Sequence, residues 1–248
     1  MKPKLSILTP SIRKDRILGM YTSLLQSCKK HSFELVIVGP YYPDMLTDRN
    51  VKYIRDFGSP ARAVQIAANF AEGELLTLVT DDAYCYENTI DQCIDDLDTD
   101  IMLMRYTEDG QYRSKDYWLP SYHDATKTLK GLPENSFSVT VPLMKRSLFE
   151  VYGGLDTQTF EMANMSVQDL CFRCQKVGKT VKLSPCDVFN VNWMPGTTGD
   201  HAPVHYAETD NDGPAFTKIW EENNQRLYVT GMSNWKASPN VWQRRFSS

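Results

Sequence analysis

Over the first eighty or so positions, short apolar runs alternate with stretches of helical periodicity. Leu5–Thr9 is one such run and reads as a strand. Asp15–Lys30 follows as a helix, with Ile17, Leu18, Tyr21, Leu24 and Leu25 placed on its apolar face. Phe33–Val38 is apolar at almost every position and closes at Gly39-Pro40. Strands buried on both faces of a parallel sheet have this composition. Val51–Arg55 gives a third strand. Pro60 opens a helix reaching Ala71, since proline suits a first helical turn, and Gly73 stops it. Glu74–Val79 is a fourth strand, ending at Thr80-Asp81-Asp82. This β-α-β order predicts an α/β fold: a Rossmann-like sandwich with a mostly parallel central sheet and helices on both faces. Right-handed crossovers then bring the strand C-termini to one edge, where ligands bind.

Beyond residue 86 the pattern loosens. Glu87–Leu97, Lys145–Tyr152, Val167–Val177 and Ala215–Asn223 read as helices; Ile101–Arg105, Ser136–Pro142 and Thr180–Leu183 read as strands. Residues 107–133 are polar and aromatic without a clear period. Asn192–Pro214 is rich in Gly, Pro, Asp and His, as functional loops often are. The 248 residues suffice for one sizeable core, so a single domain over 1–248 is expected. Its parts would be a ligand-binding half (1–106), a second half carrying the chemistry (107–226) and a C-terminal extension (227–248).

The net charge of −4 does not suit a general nucleic-acid binder. No apolar run approaches a membrane span, and Met1-Lys-Pro-Lys runs straight into the first strand without a signal-peptide core. The six cysteines therefore read as reduced thiols in a cytoplasmic protein. Cys171 and Cys174 share a helix face, and core packing is the favoured account of their CxxC.

Two constellations could carry chemistry. Asp81-Asp82 ends a buried strand, where two carboxylates call for solvent or a hard cation such as Mn²⁺ or Mg²⁺. Gly153-Gly154-Leu155-Asp156 is followed by Gln168-Asp169-Leu170 and Arg173. For either, the plain alternative is a turn or a helix cap. His201 and His205 stand in the irregular late region and could reach a metal or a phosphate.

The order of these segments resembles the family 2 glycosyltransferases, inverting enzymes of the GT-A fold. Leu5-Ser-Ile-Leu-Thr-Pro10-Ser11 is similar to the family's first strand. Ser59–Glu74 resembles the helix before its metal strand, and Thr80-Asp81-Asp82 falls at its DxD-type motif. The Gly153-Gly154 segment with Asp169 and Arg173 looks like its catalytic segment, and His201 with Asp212, Phe216, Lys218 and Trp220 resembles its metal-facing loop and following helix. The resemblance spans residues 4–220. It implies transfer of a sugar from a nucleotide-diphosphate donor, such as a UDP-sugar, to an acceptor hydroxyl. The acceptor would be a glycan, a lipid-linked sugar, a protein or a modified nucleic acid.

The same resemblance implies residue roles. Asp169 would be the general base, and Asp82 and His201 would hold Mn²⁺ or Mg²⁺. Pro10, Ser11, Asp56, Arg62 and Asp81 would line the donor site, with Asp56 on the uracil or ribose and Arg62 on a phosphate. The chain departs from the family in three places: Gly39-Pro-Tyr-Tyr-Pro43 replaces an acidic turn, the first DxD carboxylate is missing or shifted by one residue, and Gln168 replaces a glutamate. Base recognition by stacking on Tyr41 or Tyr42 would follow from the first. A non-catalytic sugar- or partner-binding module of the same fold, and a nucleotidyltransferase, are the competing readings.

Overall fold

The computed structural model describes residues 2–108, 111–112, 132–133, 136–191 and 202–223. Its order begins β1 (Leu5–Pro10), α1 (Ile17–Ser27), β2 (Phe33–Gly39), β3 (Val51–Arg55), α2 (Pro60–Phe70), β4 (Leu75–Leu78), β5 (Ala83–Cys85) and α3 (Thr89–Asp95). β6 (Ile101–Glu108), β7 (Gln111–Tyr112), β8 (Pro142–Lys145), α4 (Arg146–Val151), α5 (Ala163–Lys176) and β9 (Val181–Val191) follow. The last described stretch is helical: α6 (Ala202–Ala207), a π-wound segment Glu208–Asp212, α7 (Gly213–Phe216) and a second π-wound segment Thr217–Asn223.

The strands form one sheet in the order β3-β2-β1-β4-β8-β6-β9-β5, with β7 paired to β6. β1 to β4 are mutually parallel, as the opening pattern predicts. β8 then runs antiparallel between β4 and β6, while β6 and β9 are parallel. Successive side chains of a strand point to opposite faces, so β1 feeds two cores. Leu5 and Ile7 join α1 and α3 on one side, and Leu8 joins α2, α4 and α5 on the other. Cys171 and Cys174 lie in the second core, and burial pushes the Cys174 thiol up to about 12. Packing thus accounts for the CxxC.

Several boundaries differ from expectation for local reasons. On α1 the buried face is Ile17, Met20, Tyr21 and Leu24, whereas Leu18 and Leu25 are 47% and 43% exposed. Each of the latter lies one residue, a 100° step, beyond the buried stripe. Ser136–Val141 has no regular structure and bends at Thr140 and Val141, and the strand proper begins at Pro142. α5 starts at Ala163 rather than Val167, and β9 continues to Val191 rather than ending at Leu183. Residues 202–214, expected to be irregular, are helical. Among the described residues no helix is long and apolar enough to cross a membrane.

Candidate active site

Because β1, β2, β3 and β4 are parallel and in register, their C-terminal ends share one edge. Backbone bonds tie the loops there together. Ser11 donates its N–H to the Val38 carbonyl (2.9 Å), and Asp56 to that of Gly39 (3.1 Å). The contact requires glycine at position 39, since a Cβ there would lie 1.8 Å from the Ser11 carbonyl oxygen. Pro10, Ser11, Asp56, Arg62, Asp81 and Asp82 all lie at this edge.

Asp81 is buried and saturated. Its Oδ2 accepts from Ser11 Oγ (3.0 Å), Ile12 N (2.9 Å) and Arg13 N (2.8 Å), and its Oδ1 accepts from Arg13 Nη1 (2.7 Å). A carboxylate wrapped in this way by a loop's amides anchors the loop. The expected donor contact through Asp81 is therefore corrected: its oxygens hold Ser11–Arg13 in place. Asp82 differs. Its Oδ2 lies 3.6 Å from the same Arg13 guanidinium, and no described residue donates a hydrogen bond to it. Arg13 thus sits between the two carboxylates. The two partners Arg13 and Asp81 are 68 residues apart in the sequence.

Asp56 and Arg62 face each other. Arg62 Nε lies 3.1 and 3.0 Å from the two Asp56 oxygens, and Nη2 donates to Oδ1 at 2.9 Å. Both side chains are buried, and Gly58 N also donates to Asp56 (2.9 Å). Two separate ligand contacts, one to base or ribose and one to phosphate, are replaced by an ion pair that fixes the turn into α2. That turn is capped by Ser59, which accepts from Arg62 N, and the Ala61 N–H is taken by the Glu161 carbonyl.

The Gly153-Gly154 constellation is a folding unit. Gly153 and Gly154 have φ of 82° and 66°, a region that favours glycine. Arg173 reaches from α5 and donates to the carbonyls of Tyr152 and Gly154. Gln65 of α2 accepts from Leu155 N (2.7 Å). Asp169 closes the unit: its Oδ2 accepts from Arg173 Nε (2.9 Å) and its Oδ1 from Trp220 Nε1 (3.0 Å). Asp169 and Arg173 are both 0% exposed. A general base must come within hydrogen-bond reach of the proton it abstracts. In this arrangement Asp169 is enclosed with both oxygens engaged, so the base role expected of it is corrected to a positioning role.

Asp212 makes a similar anchor. Its carboxylate is buried and accepts from Glu161 N (3.0 and 3.1 Å) and Met162 N (2.7 Å). Burial pushes this carboxyl up from 3.8 to about 6, against the downward pull of the backbone donors. Between these values the folded chain binds a proton that the unfolded chain has released. The resulting stabilisation is complete below the unfolded value and is lost as pH rises through about 6. The stability difference between wild type and Asp212→Asn is therefore expected to shrink by roughly 2 kcal/mol from pH 4 to pH 7, by urea denaturation. A difference that grows with pH would refute it.

His201, expected as a metal ligand, lies outside the described residues, and His205 lies on α6. Among the described residues no group of three or more His, Cys, Asp or Glu could hold a metal ion. Asp82 alone still suits a cation that takes one or two carboxylates and completes its shell with substrate phosphates and water.

No family model and no curated protein matches the chain. Solved structures do. S. aureus TarS 1–349, a glycosyltransferase, superposes with a TM-score of 0.54 at 16% identity, over 88% of this chain and 69% of that one. Its complex with UDP-GlcNAc gives 0.53 at 16% identity, over 100% and 79%. Its complex with UDP gives 0.50 at 17% identity, over 88% and 69%. The chain therefore has a GT-A-like, Rossmann-like α/β fold.

Proposed function

We propose that this protein is a family 2-like, inverting glycosyltransferase that uses Mn²⁺ or Mg²⁺ to move a sugar from a nucleotide-diphosphate donor to an acceptor hydroxyl. The observation that carries this reading is the paired-carboxylate turn at the C-terminal edge of the parallel strands. Asp81 is spent on anchoring, and Asp82 stands beside Arg13 without a hydrogen-bond donor among the described residues. The fold neighbours bound to UDP and UDP-GlcNAc support a UDP-sugar as the donor.

Asp82, with His201, would hold the cation; once bound, it would neutralise the leaving diphosphate. Pro10 and Ser11 would shape the floor of the donor site, held by Asp81. Arg13 places a permanent positive charge at the same edge. Tyr41 and Tyr42, each 55% exposed beyond β2, offer rings for a nucleobase, and Tyr42 is braced edge-to-face by Tyr53 at 5.2 Å. A glycan, lipid-linked sugar, protein or modified nucleic acid would supply the acceptor hydroxyl.

The test is thermal stabilisation by a panel of nucleoside diphosphates and sugar nucleotides, with Mn²⁺ and with EDTA. A ligand at a hundred times its Kd adds about 2.7 kcal/mol, which raises the melting temperature of a chain this size by roughly 5–10 °C. One nucleotide is expected to give such a shift in Mn²⁺ and to lose it in EDTA; no shift with any nucleotide refutes the donor site. The enclosure of Asp169 favours a second reading, a sugar-binding module without turnover. Donor hydrolysis in Mn²⁺ separates the two.

A further inference from the structure

β5 is only three residues long, yet its backbone is fastened on both sides. Ala83 N donates to the Thr80 carbonyl (3.1 Å) and Cys85 N to Ser23 Oγ of α1 (2.9 Å). Tyr86 N, just beyond the strand, donates to the Val188 carbonyl (2.9 Å). Side chains of a strand alternate between its two faces. Ala83 and Cys85 point into the core shared with α1 and α3, so Tyr84 points away from it and is 61% exposed. Tyr84 follows Asp82 by two residues, which places their Cα atoms within about 7 Å.

The ladder sets a row of polar side chains beside this ring. Tyr84 is paired directly with Asn190 of β9, and Asn190 with Thr107 of β6. Directly opposed residues of an antiparallel pair share a face, with Cβ atoms about 5 Å apart. The half-buried amide of Asn190 therefore stands next to the exposed ring of Tyr84. Its orientation is set from behind. Thr107 Oγ1 donates to Asn190 Oδ1 (2.8 Å), and the Tyr86 hydroxyl, 3.0 Å from Thr107 Oγ1, donates to it in turn. With its oxygen turned to Thr107, Asn190 turns its NH₂ end away from Thr107. The row Tyr84, Tyr86, Thr107 and Asn190 carries no charge.

We propose that Tyr84 is the platform on which the acceptor rests, and that the acceptor is a neutral sugar ring, in a glycan or on a lipid. As an acceptor site it rests on the transferase reading above. The donor-side groups belong to the loops after β1 to β3, whereas Tyr84 lies on β5, the last strand in the sheet order. A cation at Asp82 would mark the diphosphate between them. An aromatic ring offers an apolar face to the C–H face of a pyranose, and a neutral amide at its side meets the hydroxyls on the rim. A phosphate backbone or a charged peptide calls for opposite charges, which this row does not supply.

The test uses Tyr84→Ala, which removes the ring, and Tyr84→Phe, which keeps it. Binding of methyl and dodecyl glycosides of glucose and N-acetylglucosamine is followed by saturation-transfer NMR, beside a single-stranded DNA and a serine-rich peptide. UDP is titrated separately by calorimetry in Mn²⁺. Wild type is expected to bind the glycosides and neither polymer; tighter binding of the dodecyl forms points to a lipid-linked sugar, equal binding to a free glycan. Tyr84→Ala is expected to weaken the glycosides about three- to tenfold and to leave UDP in place, while Tyr84→Phe stays close to wild type. Both variants are expected to melt within about 2 °C of wild type, because the ring is exposed. Unchanged glycoside affinity in Tyr84→Ala, equal weakening of UDP, a fall of several degrees in melting temperature, or binding of DNA or peptide instead of glycoside would each overturn the proposal. Wild type that binds UDP and no glycoside overturns the platform alone; glycoside binding lost in Tyr84→Ala without any nucleotide binding overturns the transferase reading and keeps the platform.

Discussion

Asp169→Ala is expected to destabilise the fold by about 3–5 kcal/mol, because it strands the Arg173 guanidinium in a site with no access to water. In a chain of this size that lowers the melting temperature by roughly 6–20 °C. The consequences spread from one side chain because Arg173 also holds the carbonyls of Tyr152 and Gly154, and because Asp169 takes the Trp220 N–H. Trp220 packs with Phe160, Phe172 and Phe216, so the late helical segment would loosen with it. Asp169→Asn decides between the two roles of this residue. A general base replaced by its amide leaves a stable, inactive protein. A buried counter-ion replaced by its amide leaves Arg173 uncompensated, and most of the stability loss is expected to remain. Pairing Asp169→Ala with Arg173→Met should recover part of the loss, since the stranded charge is then gone. Urea midpoints of the four proteins test this. A stable Asp169→Asn variant without turnover would return Asp169 to catalysis.

The same residues show where sequence reasoning reached and where it stopped. Apolar runs and turn residues located β1 to β4, α1 and α2, since each is set by local periodicity and by punctuation at Gly39, Pro60 and Gly73. They also placed Pro10, Ser11, Asp81 and Asp82 at the C-terminal edge of the sheet, because parallel strands with short crossovers leave little choice. Partners were out of reach. Nothing in the spacing says that Asp81 closes on Arg13, Asp56 on Arg62 or Asp169 on Trp220, since those pairings depend on how distant segments pack. A motif aspartate has the same letter whether it meets substrate or an arginine. β5, at three residues, carries too little pattern to be legible, and Ser184, Pro185 and Asp187 interrupt the apolar run of β9. There the ladder shifts register beside Arg105 and resumes.

Adjacent carboxylates at the sheet edge are expected to behave oppositely. Asp81→Ala removes the acceptor for three donors of the Ser11–Arg13 loop and the ion-pair partner of Arg13, and is expected to cost about 2–4 kcal/mol. Asp82→Ala removes a carboxylate whose nearest charge is 3.6 Å away and which accepts no hydrogen bond from a described residue. The Asp82 side chain is only 7% exposed and poorly compensated, and Arg13 keeps Asp81 as its partner, so Asp82→Ala is expected to leave the unliganded melting temperature unchanged or to raise it. Function should reverse the order. The Mn²⁺-dependent part of the nucleotide shift is expected to vanish in Asp82→Ala while metal-independent binding persists, because the loop that Asp81 anchors is intact. Asp81→Ala is expected to weaken nucleotide binding with and without metal alike, because Arg13 and Ser11 lose their position. The two variants, melted in EDTA and in Mn²⁺ with and without nucleotide, form the complete comparison. Equal destabilisation by both, or a metal-dependent shift that survives Asp82→Ala, would remove Asp82 as the cation's protein ligand and with it the metal-dependent form of the transferase reading.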